Sequence, residues 1–432
     1  MAKDSVKTKR VWDWYFRSNL LGRILVGLVL GAIVGLIVGP GIVWVKPFGD
    51  LFIRLLKMIV IPVIFFSLVV GACSISPARL GRVGLKVVAY YLCTSLLAVS
   101  IGLFFATTLN PGVGLSLEGV TGSAKALQQP KLIDTFLAIV PTNPFDSLAK
   151  GDVLPIIFFA ILFGIGISYL QESSDSRVAE SASTVHRFFE GAAEVMYKIV
   201  GGVLQYAPIG VFALIAVVFG QQGAKAFGPL GMTTLTVYLA LVLQWVLVYG
   251  GFLAIFKLSW LRLVGGTREA QITAFVSRTS SGTLPVTMRN CEENLGVPRA
   301  ISSFTLPLGA TVNMDGTAIY LGVCTVFIAN AIGMPLTLAQ MITVVVTATL
   351  ASIGTAGVPG AGAIMLLMVL GSIGFKLEDG SAVAMAYAMI LGIDALLDMG
   401  RTWINVTGDM AGTAIVAKSE NELDLSKWGK KA

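Results

Sequence analysis

The chain is short of the residues that soluble enzymes depend on. Only 13% of its 432 residues are charged, against 55% hydrophobic, and the mean hydropathy is +0.83. That balance excludes a soluble domain wrapped around one core and indicates a polytopic membrane protein. Histidine occurs once, as His186 beside Arg187 in a charged connector, where a solvated face is expected. A core zinc site or a Ser–His mechanism would therefore lack its imidazole. The four cysteines, Cys73, Cys93, Cys291 and Cys324, contain no C-x-x-C pair, and three lie in apolar runs. They read as free thiols, with neither a metal nor a disulfide framework. No short apolar run ending in a small-residue cleavage site precedes the first span, so no cleaved signal peptide is expected. The glycine-rich tract 354–362 lacks a following Gly-Lys-Ser/Thr and is no nucleotide loop. Its glycines and Pro359 better suit a flexible hairpin tip that closes over a ligand.

Long apolar runs are plentiful. They cover roughly 21–39, 50–73, 87–109, 152–170, 190–219, 230–256, 301–334 and 383–417, eight candidate spans. The net charge of +7 follows membrane topology rather than nucleic-acid binding, and no nucleic-acid partner is expected. With the N-terminus inside, the inner face collects the arm Lys3–Arg17, then Arg79, Arg82 and Lys86, Arg177 and Arg187, and Lys257, Arg262 and Arg268. The tail adds Lys418, Lys427, Lys430 and Lys431. Outer connectors hold mainly Lys46, Lys125, Lys131, Lys150, Lys225 and Lys376. The bias puts both termini in the cytoplasm of a multi-pass cell-membrane protein. Arg54 and Lys57, near the outer end of the second span, can snorkel. The longest connector, about 110–150, carries Pro111, Pro130, Pro141 and Pro144 and reads as an outer excursion with partial helix.

Two segments do not fit simple spans. In 263–297 the polar tract Ser277–Thr283 separates the apolar flanks 272–276 and 284–288, each too short to cross. In 338–375 the tract Gly354–Gly362 separates 342–353 from 364–373 in the same way. Both read as re-entrant hairpins, which are allowed only where protein or water covers bare backbone. One enters from the cytoplasm and the other from outside, and each precedes a span with a polar midsection. That is the plan of an inverted repeat with its site where the tips meet. Two amphipathic surface helices joined by loops are the plainer alternative. The expected architecture is all-α: eight transmembrane helices plus two re-entrant helical hairpins.

The first polar midsection is Thr311-Val312-Asn313-Met314-Asp315-Gly316-Thr317. Such groups are costly to bury in lipid and are usually functional. Asn313 and Asp315, two positions apart, would point to nearly opposite sides of an unbroken helix. If the chain unwinds there, helped by Gly316, both side chains and several freed carbonyls can face one cavity. A polar kink that only packs helices is the rival reading. The last span carries Asp394, Asp398, Arg401, Asn405 and Asp409 at spacings of 4, 3, 4 and 4. These fall within a stripe of roughly 80° on a helix, with Thr402 near its edge. Arg401 can grip a carboxylate with two parallel bonds. Asp398 can take an ammonium group, and Thr402 and Asn405 an α-carboxylate, which together describe a pocket for an acidic amino acid. Arg401 merely neutralising Asp398 remains open, and the two readings are compatible in the empty protein. Asp409, Asp315 and Asn313 offer hard oxygens suited to alkali or alkaline-earth cations.

These residues resemble the glutamate transporter family, the dicarboxylate/amino acid:cation symporters, and most closely its archaeal sodium–aspartate members. The likeness covers about residues 20–418 and is densest in RTSSGTLPVTM (278–288), LPLGATVNMDGTAIY (306–320), ASIGTAGVPGAGAIM (351–365) and DALLDMGRTWINVTGD (394–409). The resemblance implies a homotrimer in the bilayer. Its fixed scaffold would be 21–75 and 143–220. A unit that slides as a rigid body would be 84–110 and 226–418, between a basic arm (1–20) and a tail (419–432). Substrate contacts would come from Arg278, Ser280, Met314, Thr317, the backbone of Gly357, Val358, Pro359, Gly360, Ala361 and Gly362, and Asp398, Arg401, Thr402 and Asn405. Sodium, the implied coupling ion, would sit at three places. One lies among Asn405, Asp409 and the carbonyls of Gly309 and Asn313. A second lies between Thr311 and the backbone around Ser352, Ile353 and Thr355. The third uses Tyr91, Thr94 and Ser95 with Asn313 and Asp315. No organic cofactor is implied.

Two departures narrow the expectation. Animal members carry a protonatable glutamate where this chain has Leu321, and a second arginine where it has Met399. Proton coupling and potassium counter-transport are therefore not expected. Dicarboxylate relatives lack the arginine at the Arg401 position, and neutral amino acid relatives replace it with a small residue, so Arg401 favours aspartate or glutamate. The rivals are a dicarboxylate symporter, an anion-conducting channel of the same fold, and an intramembrane protease. The last lacks a GxGD motif, and Ser280 and Ser281 have no core histidine.

Overall fold

The computed structural model describes residues 20–73, 82–115, 140–151, 153–353, 355, 357–378 and 381–429, and among these it contains helices and no strand. The basic arm, most of the long connector (116–139) and Arg79 lie outside the described residues. In chain order the helices are α1 (Leu20–Val38), α2 (Lys46–Cys73), α3 (Arg82–Leu109), α4 (Pro144–Lys150), α5 (Val153–Gln171) and α6 (Ser176–Gln222). Then come α7 (Phe227–Leu243), a π turn (Gln244–Tyr249), α8 (Gly250–Ile255), α9 (Trp260–Gly266), α10 (Arg268–Ser277) and α11 (Ser280–Arg289). The chain ends with α12 (Arg299–Val312), α13 (Asp315–Ala331), α14 (Leu338–Ser352), α15 (Ala361–Ser372) and α16 (Ala382–Ser419). Among the described residues, six helical stretches are long and apolar enough to cross a bilayer, the first of them the α1–α2 pair. Helices of this length and composition fit a multi-pass membrane protein.

Two packing neighbourhoods emerge. Helices α1, α2 and α5 pack on α6, while α3, α7, α13 and α16 pack on one another with α10 against α16. The α1–α6 seam is built from glycine. A Cβ on Gly27, Gly31 or Gly35 would lie 2.4–2.6 Å from the carbonyls of Pro208, Phe212 and Ala216. Successive i, i+4 steps on both helices therefore touch backbone to backbone, the close approach that small residues permit inside membranes.

Helix α6 begins before the apolar run foreseen at 190. Asp175 caps it by accepting the Arg177 N–H at 2.9 Å, and the charged stretch becomes its first turns. His186 is consequently half-buried rather than simply solvated, 3.2 Å from Gln171 and 3.7 Å from the Glu190 carboxylate. Of the four thiols, Cys73, Cys291 and Cys324 are buried and Cys93 is exposed, all unpaired.

The two segments expected to be hairpins each hold a pair of short helices packed on each other, α10 with α11 and α14 with α15. The first tip is tighter than the polar tract suggested. Only Arg278 and Thr279 are non-helical, because Arg278 closes α10 in a left-handed conformation (φ 56°). Thr279 then caps α11 by accepting the Gly282 N–H at 3.0 Å. The second hairpin starts with a capping box between Thr337 and Gln340. The two tips touch: the Thr279 hydroxyl donates to Gly357 O at 2.6 Å, and Ser281 N–H to the same oxygen at 3.3 Å.

Candidate functional site

The run from Arg299 to Ala331 breaks where the polar midsection lies. Helix α12 ends at Val312, Asn313 and Met314 are unwound, and α13 starts at Asp315. Gly316 is not the flexible point. It is already helical, and a Cβ there would lie 2.3 Å from the Arg401 carbonyl, so glycine serves the close packing of α13 on α16. The buried start of α13 is capped from its neighbour: Gly316 N–H donates to Asn405 Oδ1 at 2.8 Å.

Between the tips and the break lies a small cavity, lined by Arg278, Ser280, Met314, Thr317, Thr355, Gly357, Val358, Ala361, Gly362, Asp398, Thr402 and Asn405. All but Thr355 belong to the substrate set expected from the sequence. Thr355 was expected among cation ligands. Pro359 and Gly360 line a neighbouring cavity together with Arg278 and Asp394, although Gly360 N–H still reaches Asp398 Oδ2 at 3.3 Å. Ser280, Ala361 and Thr317 lie within the first turns of α11, α15 and α13. Three helix N-termini, the ends that favour anions, thus converge on one space.

Arg401 stands beside this cavity, 1% exposed. Its Nη1 lies 2.9 Å from Asp394 Oδ1, its Nε 3.2 Å from Asp398 Oδ1, and its guanidinium 4.1 Å from the Tyr320 ring centre. Nη2 is 2.7 Å from Asp398 Oδ1 but too poorly aligned to complete a hydrogen bond, which leaves it a donor with unspent capacity. A Cβ on Gly362 would lie 2.6 Å from Nη1, so only glycine lets the guanidinium pass. Arg278 approaches Asp398 Oδ2 at 4.0 Å. The buried-pair alternative is therefore present, as a three-member set with Asp394.

Below the cavity sits a cluster of hard oxygens. Ser95 donates to Asp315 Oδ1 at 2.8 Å, and Thr94 Oγ1 lies 3.3 Å from both Asp315 Oδ1 and Asn313 Oδ1. Asn313 Nδ2 donates to Asp409 Oδ1 at 3.0 Å. The Gly309 carbonyl accepts the Asn313 N–H at 2.8 Å, and a Cβ on Gly309 would fall 2.6 Å from Asp409 Oδ1 and from the Tyr91 hydroxyl. Tyr91 donates instead to Thr305 O at 3.0 Å. Asp315 and Asp409 are 0% and 2% exposed and, among the described residues, neither has an ion-pair partner. Burying a carboxylate without a counter-charge costs several kcal/mol. The converging hydroxyl, amide and carboxylate oxygens fit a small hard cation. In the remaining expected set, Thr311 donates to Leu308 O, Ser352 to Thr349 O and Thr355 to Ala351 O, each within its own segment. Ile353 closes α14.

Sequence reasoning missed Gln244 and Tyr249, which donate to Asp315 from the π turn, and Tyr320 under Arg401. Gln244 and Tyr249 lie five apart in an apolar run, a spacing that no amphipathic helix pattern flags.

A polytopic bundle with a half-wound core helix, an arginine-walled cavity and uncompensated buried carboxylates defines a membrane transporter that couples a small anion to a cation. The comparisons agree: the model of the sodium:dicarboxylate symporter family matches residues 20–419, and the chain belongs to that family. It is 35% identical to a proton/sodium-glutamate symport protein of Geobacillus stearothermophilus over 423 residues, 95% of this chain and 97% of that one. It is also 35% identical to a proton/glutamate-aspartate symporter of Escherichia coli (strain K12) over 430 residues, 95% of each chain. A C4-dicarboxylate transport protein of Bacillus subtilis (strain 168) is 32% identical over 417 residues, 95% of this chain and 96% of that one. The chain is thus a cation-coupled symporter and not an enzyme.

Proposed function

We propose that the chain is a sodium-coupled symporter of acidic amino acids, L-aspartate first and glutamate second. One observation carries this reading: two buried carboxylates with no counter-charge among the described residues, Asp315 and Asp409, lie near a cavity lined by Arg278 and Asp398, the latter held by the buried Arg401. In it, Arg401 grips the side-chain carboxylate, Asp398 receives the ammonium group, and Thr402, Asn405 and the three helix starts hold the α-carboxylate. Sodium bound at Asp315 and Asp409 would supply the missing positive charge. Their neighbours Asn313 and Thr94 would then be freed to set the broken segment Asn313–Met314. The tip Gly357–Gly362 shuts once anion and cations are both in place, since closing on either alone would seal in net charge.

In this reading the helices supply eight spans, α1, α2, α3, α5, α6, α7–α8, α12–α13 and α16, with α10–α11 and α14–α15 as hairpins entering from opposite faces. Both termini are cytoplasmic. The α1, α2, α5 and α6 neighbourhood is a fixed scaffold in a homotrimer, and the remainder moves across the membrane as one body. The C4-dicarboxylate relative favours a second reading, a dicarboxylate substrate. Such a substrate has no ammonium group for Asp398, which favours the amino acid.

The test is uptake into vesicles reconstituted with the purified chain. An inward sodium gradient should drive aspartate above its external concentration, and succinate should not compete. Downhill flux alone would indicate a channel, and succinate accumulation the dicarboxylate reading.

A further inference from the structure

The π turn Gln244–Tyr249 interrupts an apolar helix that nothing in its composition obliges to distort. On an α-helix, residues five apart point about 140° away from each other at about 100° per residue. A π turn holds one more residue and stacks i over i+5. Gln244 and Tyr249 therefore face the same way, and both reach one atom. The Tyr249 hydroxyl donates to Asp315 Oδ2 at 2.7 Å, and Gln244 Nε2 donates to it at 3.2 Å. Gln244 Nε2 also lies 3.2 Å from the Thr94 carbonyl, and the Tyr249 hydroxyl 3.2 Å from the Ile404 carbonyl. Both residues are fully buried, and Gln244 Oε1 has no partner among the described residues. Space for the phenol comes from a glycine: a Cβ on Gly408 would fall 2.4 Å from its oxygen.

The Asp315 carboxylate is thereby divided. Oδ2 is tied to the π turn, while Oδ1 faces Ser95 and Thr94, next to Asn313. We infer that Gln244 and Tyr249 are positioning residues of the cation site. They pin Oδ2 so that Oδ1 keeps a fixed direction toward the hydroxyl and amide oxygens. This makes the span from Phe227 to Ile255 part of the coupling machinery rather than a passive wall. It rests on the reading of Asp315 as a cation ligand. A carboxylate held at one oxygen cannot swing to suit cations of different radius, so the clamp should also set selectivity between sodium and lithium.

The experiment follows thermal unfolding of the full chain in detergent, without amino acid, as sodium or lithium replaces choline. Tyr249→Phe removes only the hydroxyl, and Gln244→Met keeps the length while removing the amide. Each should raise the sodium concentration for half-maximal stabilisation about tenfold and bring the lithium and sodium responses closer together. The unfolding midpoint in choline should move little. Asp315→Asn serves as the reference and should lose the response of this site. If Asp315→Asn loses it while Tyr249→Phe and Gln244→Met keep the wild-type sodium midpoint and lithium ratio, the clamp is refuted and the cation reading stands. A lower midpoint in choline with an unchanged sodium half-point would mean packing alone and would equally overturn the clamp. A wild-type response in Asp315→Asn would remove the underlying reading, and the clamp with it.

Discussion

Asn313, the first unwound residue after α12, donates its side-chain amide to Asp409 of α16 at 3.0 Å. That bond ties the helix break to a buried carboxylate that has no cationic neighbour among the described residues. The carboxamide oxygen of the same side chain turns toward Thr94, so Asn313 links the two acidic positions.

Replacing Asp409 by Asn removes an uncompensated buried charge. In sodium-free buffer the variant should unfold at a higher temperature than the wild type, because a buried charge without a partner costs several kcal/mol. In saturating sodium the order should reverse. Aspartate affinity at fixed sodium should fall about 5–150-fold, since coupling between two ligands is reciprocal and typically about 1–3 kcal/mol. Unfolding curves and aspartate titrations at several sodium concentrations read both effects.

Arg401→Cys should abolish binding of acidic amino acids and open the cavity to neutral ones. Losing one partner of a buried charged contact costs about 2–5 kcal/mol, roughly 30-fold or more in affinity. Asp394 and Asp398 would be left without their guanidinium, 2.9 and 2.7 Å away in the native chain. Competition between labelled aspartate and serine or cysteine in vesicles checks the switch.

Thr279→Val tests the contact between the tips. One hydroxyl both caps α11 and donates to Gly357 O at 2.6 Å. Its loss should cost about 1.5–2.5 kcal/mol, from a cap of about 1 kcal/mol and a hydrogen bond of about 0.5–1.5 kcal/mol. Bound aspartate should leave faster, with little change in its association rate, in a stopped-flow measurement.

Much of the cavity lining is legible in the sequence, for identifiable reasons. Arg401, Asp398 and Asn405 announce themselves because ionisable groups in an apolar run are too costly to be incidental. The tips at Arg278 and at 357–362 show as polar or glycine-rich tracts between flanks too short to cross. The polar midsection predicts the helix break, but Gly316 is not its cause; that glycine lets the Arg401 backbone pass at contact distance. A glycine that permits a bend and one that permits a close approach look alike in sequence. Gln244 and Tyr249 stayed hidden because their common face exists only once the helix widens. Asp394 stood in the stripe, but its service as the second carboxylate on Arg401 depends on a rotamer.

Gly316→Ala follows from that correction. With the added carbon 2.3 Å from the Arg401 carbonyl, α13 and α16 must part. Overpacking of this kind costs about 1–3 kcal/mol, and the shift would also move Arg401 against the cavity. A lower unfolding temperature together with lost aspartate binding is the expected outcome, read on the same purified sample.

The most direct measurement is a calorimetric titration of the purified chain with aspartate, glutamate and succinate, in sodium and again in choline. The account predicts tight aspartate binding in sodium, weaker glutamate binding, no succinate heat, and loss of the aspartate signal in choline. Aspartate binding of equal strength in choline, or succinate binding as tight as aspartate, would contradict it.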